Sequence, residues 1–142
     1  MADIALIRKR LRTEIDQARR TSAERRDRAK AAARAYETFL ETIAIPTFRQ
    51  LATVLRAEGI VFEVQTPSQS VRLVSDRNRD DAITLELDET HDPPQVTLAS
   101  TRTRGSRVVQ NEGAVKERTA IDKLTEDDLI ERVIEEMRPW LG

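Results

Sequence analysis

The stretch from Ile45 to Gln65, IPTFRQLATVLRAEGIVFEVQ, changes its apolar period part-way along, and that change sets the fold class. Up to Leu55 the spacing is helical, with Phe48, Leu51, Ala52 and Leu55 on one face. Gly59 is a natural C-terminal stop. Beyond it the period falls to two, with Ile60, Phe62 and Val64 on one side of an extended segment and polar residues on the other. A helix therefore hands over to a strand within a few residues. Ile45-Pro46 disfavours helix at Ile45, so this helix is expected to start afresh, with Pro46 in its first turn.

Downstream, the alternation continues in short runs. SVRLVS (70–75), AITLELD (82–88) and QVTLAST (95–101) each place apolar residues on one face, and AITLELD is the clearest. RVVQN (107–111) offers a fifth strand after the turn TRTRGS. The separators TPSQ, DRNRDD and ETHDPP are rich in turn formers. The pattern predicts an antiparallel meander of four to five strands with one wet face. The final run, LTEDDLIERVIEEMRPWLG, reads as an amphipathic helix. Thr125 is its N-cap, Asp128 lies three residues on, and Leu124 and Leu129 form a staple. Its expected buried stripe is Leu129, Ile130, Val133, Ile134 and Met137, with Glu131, Glu135 and Glu136 outside and Pro139 as the stop. Trp140 is expected to plug the core.

Upstream, no Gly or Pro occurs from Asp3 to Ala44, and Ala, Arg, Leu and Glu dominate. Straight, such a helix extends roughly 60 Å. Ile4, Leu11, Ala18, Ala32 and Phe39 fall on one seven-residue repeat; Ile15, Ala29, Tyr36 and Ile43 fall on another, offset by four. Together they make a coiled-coil-like seam, interrupted by Arg8, Ser22 and Arg25. These nine residues are the expected oligomer interface. A helical hairpin broken near Thr21-Ser22, with Ser22 as cap, is the competing arrangement. The organisation that follows is α+β: an oligomerisation helix over 1–45 and a small domain over 46–142.

The charge distribution is uneven. Residues 1–35 hold 11 basic and 5 acidic side chains, whereas residues 36–101 hold 5 basic and 11 acidic. A basic front and an acidic body can attract further copies of the chain, or bind a polyanion by one end. The arginines off the seam are expected to be a solvated face. The alternative is a polyanion grip made of Arg19, Arg20, Arg26 and Arg28, joined by Arg102, Arg104 and Arg107 around Gly105. No aromatic residue interleaves the N-terminal run, which weakens that alternative.

Catalytic chemistry finds little to work with. There is no cysteine, which excludes disulfides, thiolate catalysis and Cys-based zinc sites. His91 is the single histidine and sits in a Pro-containing turn, so neither a metal site nor a supported acyl-transfer base is expected. No phosphate-binding glycine motif is present, no cofactor is called for, and no apolar run reaches the ~20 residues of a membrane span. With no signal-peptide pattern, a cytoplasmic location of bacterial type is expected. The functional expectation is a non-enzymatic, homo-oligomerising adaptor or accessory subunit with a protein partner. A nucleic-acid-binding accessory protein is the alternative.

Overall fold

The computed structural model describes residues 3–142. Helix α1 spans Ile4–Phe39, a π-helical turn spans Leu40–Ala44, and α2 spans Ile45–Ala57. Five strands follow: β1 (Phe62–Gln65), β2 (Val71–Ser75), β3 (Ala82–Asp88), β4 (Gln95–Arg104) and β5 (Arg107–Ala114). A short 3-10 turn at Ile121–Lys123 leads to α3 (Glu126–Leu141). The strands form one antiparallel meander in the order β1-β2-β3-β4-β5. This is the expected α+β arrangement, with all five strands present.

The alternation read in the sequence fixes which sheet face is apolar. Leu73 pairs with Ile83, and Leu85 with Leu98, and all four side chains are fully buried. Thr84 and Glu86 point the other way, into solvent or partly so. Tyr36, Phe39, Ala44 and Phe48 from the first helical run, and Leu129, Val133 and Met137 from α3, share this core. Burying one Leu- or Phe-sized side chain contributes about 1.5–3 kcal/mol, so these few contacts fix how the helices lie on the sheet.

Neither the break of the competing hairpin arrangement nor the one expected at Ile45-Pro46 is present. Helix α1 runs unbroken through Thr21 and Ser22, so the hairpin alternative is excluded. At Ile45-Pro46 the chain does not leave the helix either: Ile45 has φ −62° and ψ −49°. Proline has no N–H to donate, and its ring would strike the carbonyl four residues back, here that of Thr42. The π turn removes the conflict. The Ile45 N–H donates to the Leu40 carbonyl, five residues back, and this wider turn takes up the misfit. Pro46 then sits in the first turn of α2, as expected.

At the other end, Thr125 caps α3 as expected. Its hydroxyl accepts from the Asp128 N–H at 3.1 Å, and the Asp128 carboxylate accepts from the Thr125 N–H at 3.0 Å. The helix does not stop at Pro139 but runs through it to Leu141. Trp140 explains this. Its ring meets Phe62 edge-on at 5.6 Å, and its indole N–H donates to Asp81 at 3.3 Å, which holds the last turn in place. Asp81 also accepts from the Thr103 amide at 2.8 Å. Burial acts to raise the Asp81 pKa, but these donors outweigh it and hold the carboxyl below its usual range.

The buried stripe of α3 is narrower than expected. Leu129, Val133 and Met137 are buried, while Ile134 is 44% exposed. Ile134 lies 100° round the helix from Val133, beyond the strip that the sheet covers. Glu136, expected outside, turns in. It accepts from the Ser100 hydroxyl at 2.6 Å and pairs with Arg132, whose Nε donates to the Ala114 carbonyl at 3.2 Å. Val133→Asp should therefore destabilise the protein by about 3 kcal/mol or more. Ile134→Asp should change stability by less than about 1 kcal/mol. Paired thermal melts read both values, and equal losses would mean that Ile134 is core after all.

Candidate interaction surface

The first two-thirds of α1 leave the body as a free arm. From Asp3 to Ala31 every side chain is exposed except the half-buried Ala23. Asp3 starts the helix by accepting the Ala5 N–H at 2.9 Å. On this arm Ile4, Leu11 and Ile15 are 73%, 56% and 46% exposed, and Leu6 and Ile7 are exposed beside them. Ala18 and Ala29 are exposed on the same arm.

The other seam residues lie elsewhere. Ala32, Tyr36 and Phe39 are buried in the chain's own core, and Ile43 packs against it. The nine residues of the seam thus divide into an uncovered half (Ile4, Leu11, Ile15, Ala18, Ala29) and a half that the sheet covers (Ala32, Tyr36, Phe39, Ile43). Tyr36 also donates its hydroxyl to the Gln69 carbonyl at 2.5 Å. Gln69 has φ +59°, so this bond steadies a turn in a backbone region that side chains disfavour. Burial pushes the Tyr36 phenol well above its usual pKa. Ile7 belongs to the uncovered stripe but falls outside a strict heptad, in which Arg8 takes the neighbouring position. The spacing Ile4, Ile7, Leu11 reveals it.

Where the arm meets the body, Asp92 is clamped by two arginines. Arg28 makes a bidentate contact, Nε to Oδ1 at 2.9 Å and a terminal nitrogen to Oδ2 at 2.8 Å, and Arg25 Nε reaches Oδ2 at 3.3 Å. The hydrogen bonds from Arg28 hold the Asp92 carboxyl below its usual range. Arg28 is therefore engaged within the chain. Arg19, Arg20 and Arg26 are exposed and make no ion pair among the described residues. Asp92 escaped sequence reasoning because it lies 64 residues from Arg28, with no local pattern joining them.

A second arginine group stands at the β4–β5 hairpin. Gly105 takes φ +65° at the first position of the two-residue loop. Arg104 lies directly opposite Arg107 in the ladder, and Arg102, two residues back, shares their face. The structure brings these three together, far in the chain from Arg19, Arg20 and Arg26.

Beside the clamp runs a half-open groove of about 760 Å³. It is lined by Ala31, Ala32 and Ala35 of α1 and by Pro93, Pro94 and Ile121. His91 and Arg118 also line it. His91 Nε2 lies 3.3 Å from Asp88, but no group of three potential metal ligands occurs among the described residues. The polar pair inside the groove, Arg28 and Asp92, satisfies itself. What the groove offers an occupant is apolar contact bounded by charge.

The clamp carries a pH dependence of fixed sign. An aspartate held below its unfolded pKa, about 3.9, stabilises above that value and loses the effect as pH falls through the lower folded one. Relative to intrinsic rates, amide exchange in residues 89–95 should be constant from neutral pH through the ordinary aspartate range and become faster only below it. Asp92→Asn should raise it at neutral pH and make no difference once Asp92 itself is protonated, and an unchanged profile in that variant would show that the clamp does not hold the loop.

No protein family, no curated protein and no solved structure matches this chain, so its function has to be read from this surface.

Proposed function

We infer that this chain is a non-enzymatic, self-associating accessory protein whose projecting helix joins copies and displays the α+β body more than once. One observation carries the reading: Ile4, Ile7, Leu11 and Ile15 form an apolar stripe along a helical arm that nothing in the chain covers. Exposed apolar side chains scattered singly need no explanation, but an ordered stripe at helical spacing is the mark of a docking face. In proteins most helical stability comes from packing of an apolar face rather than from propensity, and this face has no cover within the chain. The basic arm and the acidic body add charge complementarity between copies. Linking two bodies raises their effective concentration for a shared protein target, which is the use such an adaptor would make of pairing.

At micromolar concentration, sedimentation should give at least twice the 16.2 kDa of one chain. Leu11→Asp with Ile15→Asp should weaken assembly by about two orders of magnitude or more. The melting of the body should be unchanged, since neither residue touches the core. A wild-type mass of one chain across this range would overturn the reading.

The second reading is a nucleic-acid-binding accessory protein, and the hairpin arginines favour it. Like charges directly opposed on neighbouring strands are destabilising unless something neutralises them, and Arg104 faces Arg107 in that way. Under this reading, changing Arg102, Arg104 and Arg107 to Gln flattens the log-log salt dependence of DNA or RNA binding by about three units. Absence of binding by the wild-type protein in gel shifts at low salt would remove this reading.

A further inference from the structure

The body has an open sheet edge that the arm does not use. β5 ends the strand order and has a neighbour on one side only, β4. We propose that this edge pairs with β5 of a second copy, antiparallel and two-fold, so that one sheet runs through both bodies and the hairpin arginines of each copy meet the acidic side of α3 in the other.

One hydrogen bond shows which backbone groups are free. The Val115 N–H donates to the Val96 carbonyl at 3.0 Å. Along an antiparallel strand, successive residues turn their N–H and C=O groups to alternate sides. Arg107, Val109, Asn111 and Gly113 therefore face β4, while Val108, Gln110 and Glu112 face outward. Ala114 also faces outward, but its carbonyl already accepts from Arg132 at 3.2 Å. Such an edge is a template for another strand unless shortness, Pro, Lys or a bulge blunts it. β1, at the other edge, has only four residues. β5 has eight, with no Pro or Lys and an unbroken register with β4. All three outward residues are exposed, Val108 at 53%.

Symmetry then fixes the register. A two-fold axis normal to the sheet keeps each face on its own side, so only residues of like parity can meet. Placing Gln110 opposite its own copy sets Val108 opposite Glu112 and engages all three outward residues. A slip of two residues one way sets Glu112 against the hairpin turn. A slip the other way sets Val108 against Ala114, whose carbonyl is taken.

Charge complementarity identifies the second copy as the occupant. Ser100, Arg102 and Arg104 share one face of β4, and Ser100 meets Glu136 of α3, so these arginines stand on the α3 side of the sheet. In the proposed register Arg107 lies opposite Gly113 of the second copy. α3 passes over that end of β5: a Cβ added to Gly113 would stand 3.0 Å from Arg132. Glu131 and Glu135 surround a small cleft there with Val115 and Arg132. Lys116 is bound to Asp128 and Arg132 to Glu136, so Glu131 and Glu135 make no ion pair among the described residues; nor do Arg102, Arg104 and Arg107. Pairing brings these unneutralised groups together and relieves the like charges opposed at Arg104 and Arg107.

The test is run with Leu11→Asp and Ile15→Asp in place, so that the arm stripe contributes nothing. In concentrated protein the Val108, Gln110 and Glu112 amides should exchange about tenfold or more slowly than in dilute protein. The Val109 and Asn111 amides, held by β4, should not respond to concentration. Gln110→Cys should give a disulfide-linked dimer joined through position 110, since directly opposed residues fall within disulfide reach and the chain has no other cysteine. Gln110→Pro removes only an outward N–H, so the body should melt as before and the concentration dependence should vanish. Glu131→Arg with Glu135→Arg should cut cross-linking of Gln110→Cys about tenfold, and adding Arg104→Glu with Arg107→Glu should restore it. Outward amides that exchange equally fast at both concentrations overturn the proposal and leave the arm reading untouched. So does cross-linking that ignores the acid reversals while the arginine reversals abolish DNA or RNA retention, which assigns the hairpin to nucleic acid.

Discussion

The first helical run is longer than the sheet it covers, and most of the architecture follows from that mismatch. From Ile4 to Ala57 the backbone stays helical, a contour of about 80 Å. The longest strand, β4, has ten residues and spans about 33 Å. One sheet cannot shelter such a helix from end to end. The chain places the cover over Ala32 to Leu55, where the bulky Tyr36, Phe39 and Phe48 sit, and leaves the N-terminal end outside. The arm, its stripe and the groove at its base are products of that overhang.

The overhang also explains the role of the Asp92 clamp. A lever about 35 Å long from Ile4 to the clamp would otherwise hang on side-chain packing that begins only at Ala32. Arg25 and Arg28 extend the attachment by one to two turns, using a loop that belongs to the sheet. Arg28, one of the four arginines of the polyanion alternative, thus braces the arm together with Arg25. Arg19, Arg20 and Arg26 are exposed and make no ion pair among the described residues.

Much of the fold was legible in the residues. The β3 boundaries, Ala82 and Asp88, follow from strict alternation, and the Thr125 cap follows from a side-chain pattern confined to four residues. Such features are local, and local physics decides them. The misread features depend on distant contacts. Pro46 and Pro139 both look like stops, but one is relieved by the π turn before it and the other is held by Phe62 and Asp81, contacts remote in sequence. Ile134 looked like core because a helix's apolar stripe says nothing about how wide a strip its neighbour will cover. The interrupted seam does not say where the sheet will stop covering it: Ala32, Tyr36 and Phe39 are buried, whereas Ile4, Leu11 and Ile15 are exposed. The groove was invisible for the same reason, since its walls come from residues near 31, 93 and 121.

The π turn has one more effect, on angular phase. In an uninterrupted α-helix, positions 18 residues apart point the same way, because 18 residues make five full turns. Val54 would then align with Tyr36 and face the sheet. The turn at Leu40–Ala44 inserts the equivalent of one extra residue and rotates all that follows by about 100°. Val54 is accordingly 61% exposed, and Leu55 takes the inward bearing and packs against the core. The turn works as a rotational offset between two stretches of one rod. The direction in which the arm presents its stripe and the direction in which α2 meets the sheet are thereby set independently, although no loop separates them.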